Sequence, residues 1–249
     1  MKSKHEKQWE KLGSKDPYWA VLTDPKMKGG KWKKDEFFQT GYVEIENIFK
    51  KLNSLEMMPS NNLALDFGCG VGRLSRALAK RFHKVLALDI SGSMLEEARR
   101  ANSDIGNVEF RKNSEDNLGF IDSNSIDFIY SNIVLQHMKV NFQERFIKEF
   151  CRVLSENGVV AFQTPSKLNL KSWRGWAYVF LGNGVLNLFR KLKHGSSGVM
   201  ELHAFPKSKV INILRENGVS IVHVERFDSA GKTFESYMYF AKKDLKINT

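Results

Sequence analysis

Cysteine and proline are scarce in this chain, with two cysteines and five prolines among 249 residues. Cys69 and Cys151 sit at no metal-ligand or redox spacing, which argues against a disulfide scaffold or zinc module and implies a reducing compartment. The six histidines share no ligand spacing with the acids, so no metal is expected. No apolar run reaches the ~20 residues that a bilayer-spanning helix needs. The first nine residues are charged and lack the apolar core of a secretory signal, so a cytoplasmic chain is expected. Acids are outnumbered, 28 against 39 lysines and arginines, for a net charge of +11. Neither an internal repeat nor an extended low-complexity tract is present. What is present is 42% hydrophobic and 12% aromatic, enough for a sizeable core and no sign of disorder.

Residues 63–75 read Leu-Ala-Leu-Asp-Phe-Gly-Cys-Gly-Val-Gly-Arg-Leu-Ser, an apolar strand entering a glycine-dense turn and then a helix start. Gly68, Gly70 and Gly72 permit backbone angles closed to other residues and leave room for a ligand against the main chain. A dinucleotide fingerprint requires Gly-x-Gly-x-x-Gly or Ala, yet Arg73 occupies the last position and the third glycine comes one residue early. A nicotinamide cofactor, and with it a dehydrogenase, therefore fits poorly. No Walker lysine follows. Asp66 ends the strand where its charge would repel a pyrophosphate and suit an ammonium group. A second apolar strand, Val85-Leu86-Ala87-Leu88-Asp89, ends in an acid about 20 residues on, where a ribose acceptor belongs.

On these residues the chain resembles the class I S-adenosylmethionine-dependent methyltransferases of the small-molecule type, with a core similar to methyltransferase type 11. Their first motif is similar to Asp66-Phe67-Gly68-Cys69-Gly70-Val71-Gly72. Downstream, Ser91-Gly92-Ser93-Met94 resembles the family's next helix start and Ser125–Ser131 its fourth strand. The likeness covers roughly residues 63–164 and implies S-adenosyl-L-methionine as cofactor. The sulfonium donor needs a carboxylate, close backbone approach and a ribose acceptor, and no phosphate cradle. The resemblance also implies an adenine-binding aspartate where Ser114 stands. Ser114, Glu115 or Asp116 could take that place.

Strands alternating with amphipathic helices require a parallel sheet covered on both faces, an α/β Rossmann-like, doubly wound fold. Strands are expected near 63–67, 84–89, 108–112, 126–131 and 158–164, with Gly158 as the turn that opens the fifth and Pro165 closing it. Helices are expected near 72–82, 93–102 and 141–154. A helix from Pro206 ends at Asn217-Gly218, and strands near 219–227 and 235–242 follow with no room for a helix between them. The last strand should therefore be antiparallel, as in the seven-stranded family sheet.

The expected organisation is an N-terminal cap over 1–58 and a methyltransferase domain over 59–249. Within that domain lie the core 63–164, an insertion 166–205, and a C-terminal helix and hairpin over 206–249. The cap carries a helix from Gly41 to Leu55 and could cover a sheet edge or close over the cofactor equally well. From 166 to 209, eight bases face one acid, Glu201, and an uncharged aromatic run spans 175–189. Such a stretch suits a lid, a pocket wall, or peripheral contact with an anionic membrane through 170–193.

Ligands of an open α/β sheet bind beyond the carboxyl ends of its strands. The expected cofactor contacts are Asp66, Gly68, Cys69, Gly70, Gly72, Asp89, Ile90, Met94, Ser114, Glu115, Asn132 and Gln136. Arg73 at a helix start calls for an anionic partner, and the cofactor carboxylate is one candidate. His137, after the fourth strand, is the candidate base, with His203 as a second. The partner is a small-molecule acceptor with an oxygen or nitrogen to methylate. Base methylation of nucleic acid is disfavoured, because Ser131-Asn132-Ile133-Val134 replaces the Pro-Pro-aromatic turn and Thr164-Pro165-Ser166 supplies no cysteine nucleophile. A non-catalytic cofactor-binding or membrane-surface module, or an RNA methyltransferase, is the alternative.

Overall fold

The computed structural model describes residues 4–171, 201–227 and 233–244. Seven strands form one sheet in the order β3-β2-β1-β4-β5-β7-β6. They are β1 (Leu63–Phe67), β2 (Lys84–Asp89), β3 (Val108–Lys112), β4 (Ile126–Ser131), β5 (Leu154–Leu168), β6 (Val219–Arg226) and β7 (Phe234–Lys243). The strands from β1 to β5 pair in parallel, while β7 lies between β5 and β6 and runs antiparallel to both. Strand order reverses between β1 and β4, leaving a crevice at their carboxyl ends.

Alternation along the strands feeds two cores. Leu65, Phe67, Leu88 and Ile129 face α6 (Val140–Val153) and α7 (Lys207–Glu216). Ala64, Val85, Phe128 and Tyr130 face the other way, onto α3 (Lys34–Ser54) and α4 (Arg73–Leu78). On the first face α6 contributes Phe146, Ile147 and Phe150, spaced as one apolar side of a helix. The cluster of α3 includes Ile45, Ile48, Phe49 and Leu52, all buried. That helix is one layer of the central fold, so packing gives no boundary at residue 58. It also starts earlier than Gly41. Asp35 and Glu36 occupy its first turn, and Gly41 lies inside it as a notch, where a Cβ would stand 2.4 Å from the Arg73 carbonyl oxygen.

Two further expectations need correction around β5. Pro165 does not close the strand, which pairs with β7 as far as Leu168 across a register shift between Pro165 and Lys167. The left-handed turn before the strand's core falls on Asn157, at φ 59°, and not on Gly158. A Cβ on Gly158 would lie 2.8 Å from the Ser155 carbonyl oxygen, so that glycine is needed for space.

The N-terminal helices α1 (Lys4–Lys15) and α2 (Pro17–Val21) pack away from both sheet faces. Leu12 and Ala20 join Phe37, Phe38, Val71 and Met94 in a separate apolar cluster beside the glycine turn. Residues 172–200, the larger part of the stretch read as lid or membrane contact, lie outside the described residues. Among the described residues no helix is long and apolar enough to cross a membrane.

Candidate active site

The turn after β1 is held by the end of β2. The amides of Gly68 and Cys69 both donate to the Leu88 carbonyl at 2.8 Å. Asp89 then accepts the Gly70 amide at 2.9 Å through one carboxylate oxygen and the Ser91 amide at 2.8 Å through the other. Gly68 and Gly70 adopt φ of 81° and 53°, a region that disfavours side chains. A Cβ on Gly68 would lie 2.3 Å from Val134, and one on Gly70 2.6 Å from Val21. The turn is thus a bare backbone cradle between a β4-loop side chain and the N-terminal segment. Burial raises the Asp89 carboxyl, and the amides from Ser91, Gly70 and Ile90 oppose that rise.

Gly72 does something else. At φ 80° it precedes α4, and a Cβ there would stand 2.7 Å from the Asn102 amide and 2.8 Å from the Phe110 ring. It lies off the cavity wall, and its bareness serves the close packing of the turn on β3 and α5 (Gly92–Ala101).

A buried polar layer lies under the cradle. Asp66 is fully buried, with the Ser75 hydroxyl donating to Oδ2 at 2.5 Å and Oδ1 without a partner among the described residues. Desolvation pushes its pKa up to about 7, against the lowering effects of the Ser75 bond and the Arg73 charge. The anionic partner of Arg73 is Glu44 of α3, at 2.8 Å. A protein carboxylate thus meets one end of the guanidinium, while the buried Nε of Arg73, a residue of the cavity wall, has no partner among the described residues. Glu44 also accepts from the Tyr130 hydroxyl at 2.9 Å and the Asn132 amide at 2.7 Å, so the ion pair sits in a network. Such pairing offsets the desolvation of a side chain only 4% exposed.

Above the cradle is a cavity of about 530 Å³, within the ~300–1,000 Å³ of small-molecule sites. Gly68, Cys69, Gly70, Arg73, Asp89, Ile90 and Met94 line one part of it, with Ser114, Glu115 and Asn132. Met94 is also a core residue, 1% exposed. Asp116 reaches the wall as well, together with Asn113, whose side chain holds the Glu115 amide at 3.1 Å. Asn113 directly follows β3, a strand-end position that could have drawn notice. Phe67, Val134, Phe142 and Phe146 supply an apolar part of the wall.

Another part of the wall comes from the N-terminal helices. His5, Gln8, Trp9, Ala20 and Val21 all face the cavity, so the N-terminal segment closes over it. No motif marks these residues.

His137 is on the wall but tied down. Its Nδ1 lies 2.9 Å from the Glu201 carbonyl oxygen, which can only accept, so Nδ1 carries the proton. The Nε2 lone pair then receives the Gln136 amide at 3.2 Å. Burial lowers the ring's pKa to about 4, and Trp9 packs edge-on at 5.1 Å. The expectation of a free base at His137 is therefore corrected: it is a neutral ring with both nitrogens engaged. Gln136 is likewise corrected as a cofactor contact. It lies behind His137, with its amide oxygen toward Gln163 at 3.4 Å. His203 is off the cavity wall and pairs with Glu201 at 3.3 Å.

Comparison with known proteins agrees with this geometry. A family described as "Methyltransferase domain" matches residues 65–162. The chain is 30% identical over 180 residues to ubiquinone biosynthesis O-methyltransferase of Pelagibacter ubique, spanning 71% of this chain and 70% of that one. It is 34% identical over 112 residues to malonyl-[acyl-carrier protein] O-methyltransferase of Pectobacterium atrosepticum, covering 44% and 42%. Among solved structures, magnesium protoporphyrin IX methyltransferase from Synechocystis with bound S-adenosylhomocysteine aligns with a TM-score of 0.59. That alignment has 19% identity and covers 91% of this chain and 93% of the other. A methyltransferase from Leishmania major gives 0.61 at 18% identity, over 96% and 82%. At such identities these structures bear on the fold alone.

Proposed function

This chain belongs to the S-adenosylmethionine-dependent methyltransferases, and from that premise we propose that it methylates an oxygen of a small, largely apolar, hydroxyl-bearing ring compound. One observation carries the reading. A single cavity joins a glycine cradle with Asp89 at its rim to an aromatic wall of Trp9, His137 and Phe142. The relative matched over 70% of its length is named an O-methyltransferase, which supports oxygen, while phosphoethanolamine N-methyltransferases of Caenorhabditis elegans and Zea mays match over a shorter stretch, 44% of this chain.

The residues fit the donor. Gly68 and Gly70 line the cavity with bare backbone, their Cβ directions being taken by Val134 and Val21, so a ligand can approach that backbone from the cavity side. Asp89 retains lone pairs beyond its two amide bonds and can accept ribose hydroxyls. Asp66 lies beneath the cavity and not on its wall, so its buried, unpartnered Oδ1 is an acceptor that an ammonium group would reach through a water. Ser114, Glu115 and Asn113 would meet the adenine edge, and Ile90 and Met94 its face.

When bound, the donor supplies a methyl carbon already activated by a positive sulfur. The protein's work is then to align the acceptor in line with that carbon and to exclude water. The N-terminal helices close one side of the cavity, and the Phe67, Phe142 and Phe146 rings keep another side dry. Titration calorimetry with S-adenosylhomocysteine tests the cofactor site, and methyl-labelled donor with the small-molecule fraction of a cell extract tests turnover. Binding without label transfer would reduce the protein to a non-catalytic module.

A further inference from the structure

We propose that His5, carried on the N-terminal helix, is the proton acceptor for the hydroxyl that is methylated. This rests on the oxygen-acceptor reading above and adds a residue to it.

Helical spacing puts the ring there. His5, Gln8, Trp9 and Leu12 stand at i, i+3, i+4 and i+7, one face of α1; the first three line the cavity and Leu12 enters the apolar cluster beside it. The neighbouring stripe, Glu6 and Glu10, fixes the helix in place. Lys112 at the end of β3 donates to Glu6 at 2.7 Å, and the Ser91 hydroxyl and Ser93 amide donate to Glu10 at 2.9 and 3.2 Å. The helix is therefore anchored to the carboxyl ends of β2 and β3, the elements that also present Asp89 and Ser114.

A base needs a lone pair that nothing else occupies. His137 fails that requirement, since the Gln136 amide takes its Nε2 and the Glu201 carbonyl its Nδ1–H. His203 is off the cavity wall. Among the described residues the imidazole of His5 makes no hydrogen bond, and its packing partner is Trp9, edge-on at 6.3 Å. The charged and titratable groups acting on it are Glu201, whose carboxylate favours the protonated ring, and His203, which opposes it; His137, on the same cavity wall, interacts with it electrostatically as well. Burial outweighs both and lowers the ring's pKa, so it stands unprotonated at neutral pH and ready to accept.

The step balances without any further reactant. The hydroxyl proton passes to a ring nitrogen of His5, the oxygen pair forms the new bond to the methyl carbon, and the carbon–sulfur pair stays on sulfur. The products are the methyl ether, a neutral thioether and an imidazolium, which returns its proton to solvent.

The test uses the full-length protein and two probes, catechol and 4-nitrocatechol, the latter already ionised near neutral pH. For H5Q the expected result is a ~10²-fold fall in kcat with catechol, a much smaller fall with 4-nitrocatechol, and S-adenosylhomocysteine affinity within about twofold of wild type. Imidazole added to H5A should restore part of the catechol rate. Independently of turnover, diethyl pyrocarbonate followed by peptide mass spectrometry should label His5 well before His137. Equal losses on both catechols, an undiminished H5Q rate, or His137 labelled first would overturn the assignment. Wild-type protein that binds S-adenosylhomocysteine yet methylates neither catechol would instead overturn the hydroxyl-acceptor reading beneath it.

Discussion

A side-chain carbon of Val21 stands 2.6 Å from the point a Cβ on Gly70 would occupy. The N-terminal segment therefore rests directly on the glycine turn, and the bareness of Gly70 is what lets the two meet.

Gly70→Ala is expected to weaken S-adenosylhomocysteine binding at least about tenfold. The new methyl would meet Val21, and φ 53° would cost an L-residue ~1–2 kcal/mol. Calorimetry checks this, and Val21→Ala in the same chain should recover part of the loss by removing the clash. Full affinity in the single variant would mean that the turn and the N-terminal segment move apart freely.

Gly72→Ala should behave differently. Its methyl would press on Asn102 and the Phe110 ring, away from the cavity, at an unfavourable φ of 80°. Strain and overpacking together should destabilise the fold by about 2–4 kcal/mol. Urea denaturation reads this directly. Affinity per folded molecule should stay near wild type, and a selective loss of binding would return Gly72 to the cofactor site.

Asp89→Ala removes an acceptor that two backbone amides share, and leaves the Gly70 and Ser91 N–H groups unpaired. Each such orphan costs ~1–3 kcal/mol, so both stability and S-adenosylhomocysteine affinity should drop, the latter at least about tenfold. Paired denaturation and calorimetry separate the two roles. A loss of stability with unchanged affinity would make Asp89 a scaffold for the turn alone.

Asp66 should leave a pH signature. Its carboxyl is raised from 3.8 to about 7, so between those values the folded protein binds more protons than the unfolded chain. Wild-type stability carries an increasing penalty as pH rises from about 4 to 7, and the penalty is constant above that. Asp66→Asn cannot ionise, so its stability relative to wild type should rise by up to about 4 kcal/mol between pH 4 and pH 8. Denaturation midpoints across that range give the answer, and a flat difference would show that the carboxyl titrates normally. If Asp66 meets an ammonium group, wild-type binding at pH 6.5 should also release protons, visible as a buffer-dependent binding enthalpy.

The sheet was readable because strand and helix periods differ and each strand here carries its own. Leu63 to Phe67 and Val85 to Asp89 run as apolar stretches that end in turn residues, and the structure places β1 and β2 within a residue of them. The missing space for a helix between β6 and β7 likewise dictated the antiparallel ending. Glycine was a less faithful guide. Gly41 and Gly158 looked like boundaries, yet both are points where another backbone comes too close for a Cβ. A one-dimensional pattern cannot distinguish a glycine chosen for its φ from one chosen for its size.

Local order along the chain therefore determined the class of protein: an α/β sheet, a bare turn after β1, and an acid at the end of β2. Those features depend on residues adjacent in sequence, where steric and hydrogen-bonding rules act directly. Which side chains complete the site was decided by tertiary contacts alone. Arg73 meets Glu44 across 29 positions, His137 is silenced by Glu201 across 64, and His5 reaches the cavity because Lys112 holds Glu6 from 106 residues away. Their pairing depends on how helices dock on the sheet, and no spacing in the sequence encodes that distance.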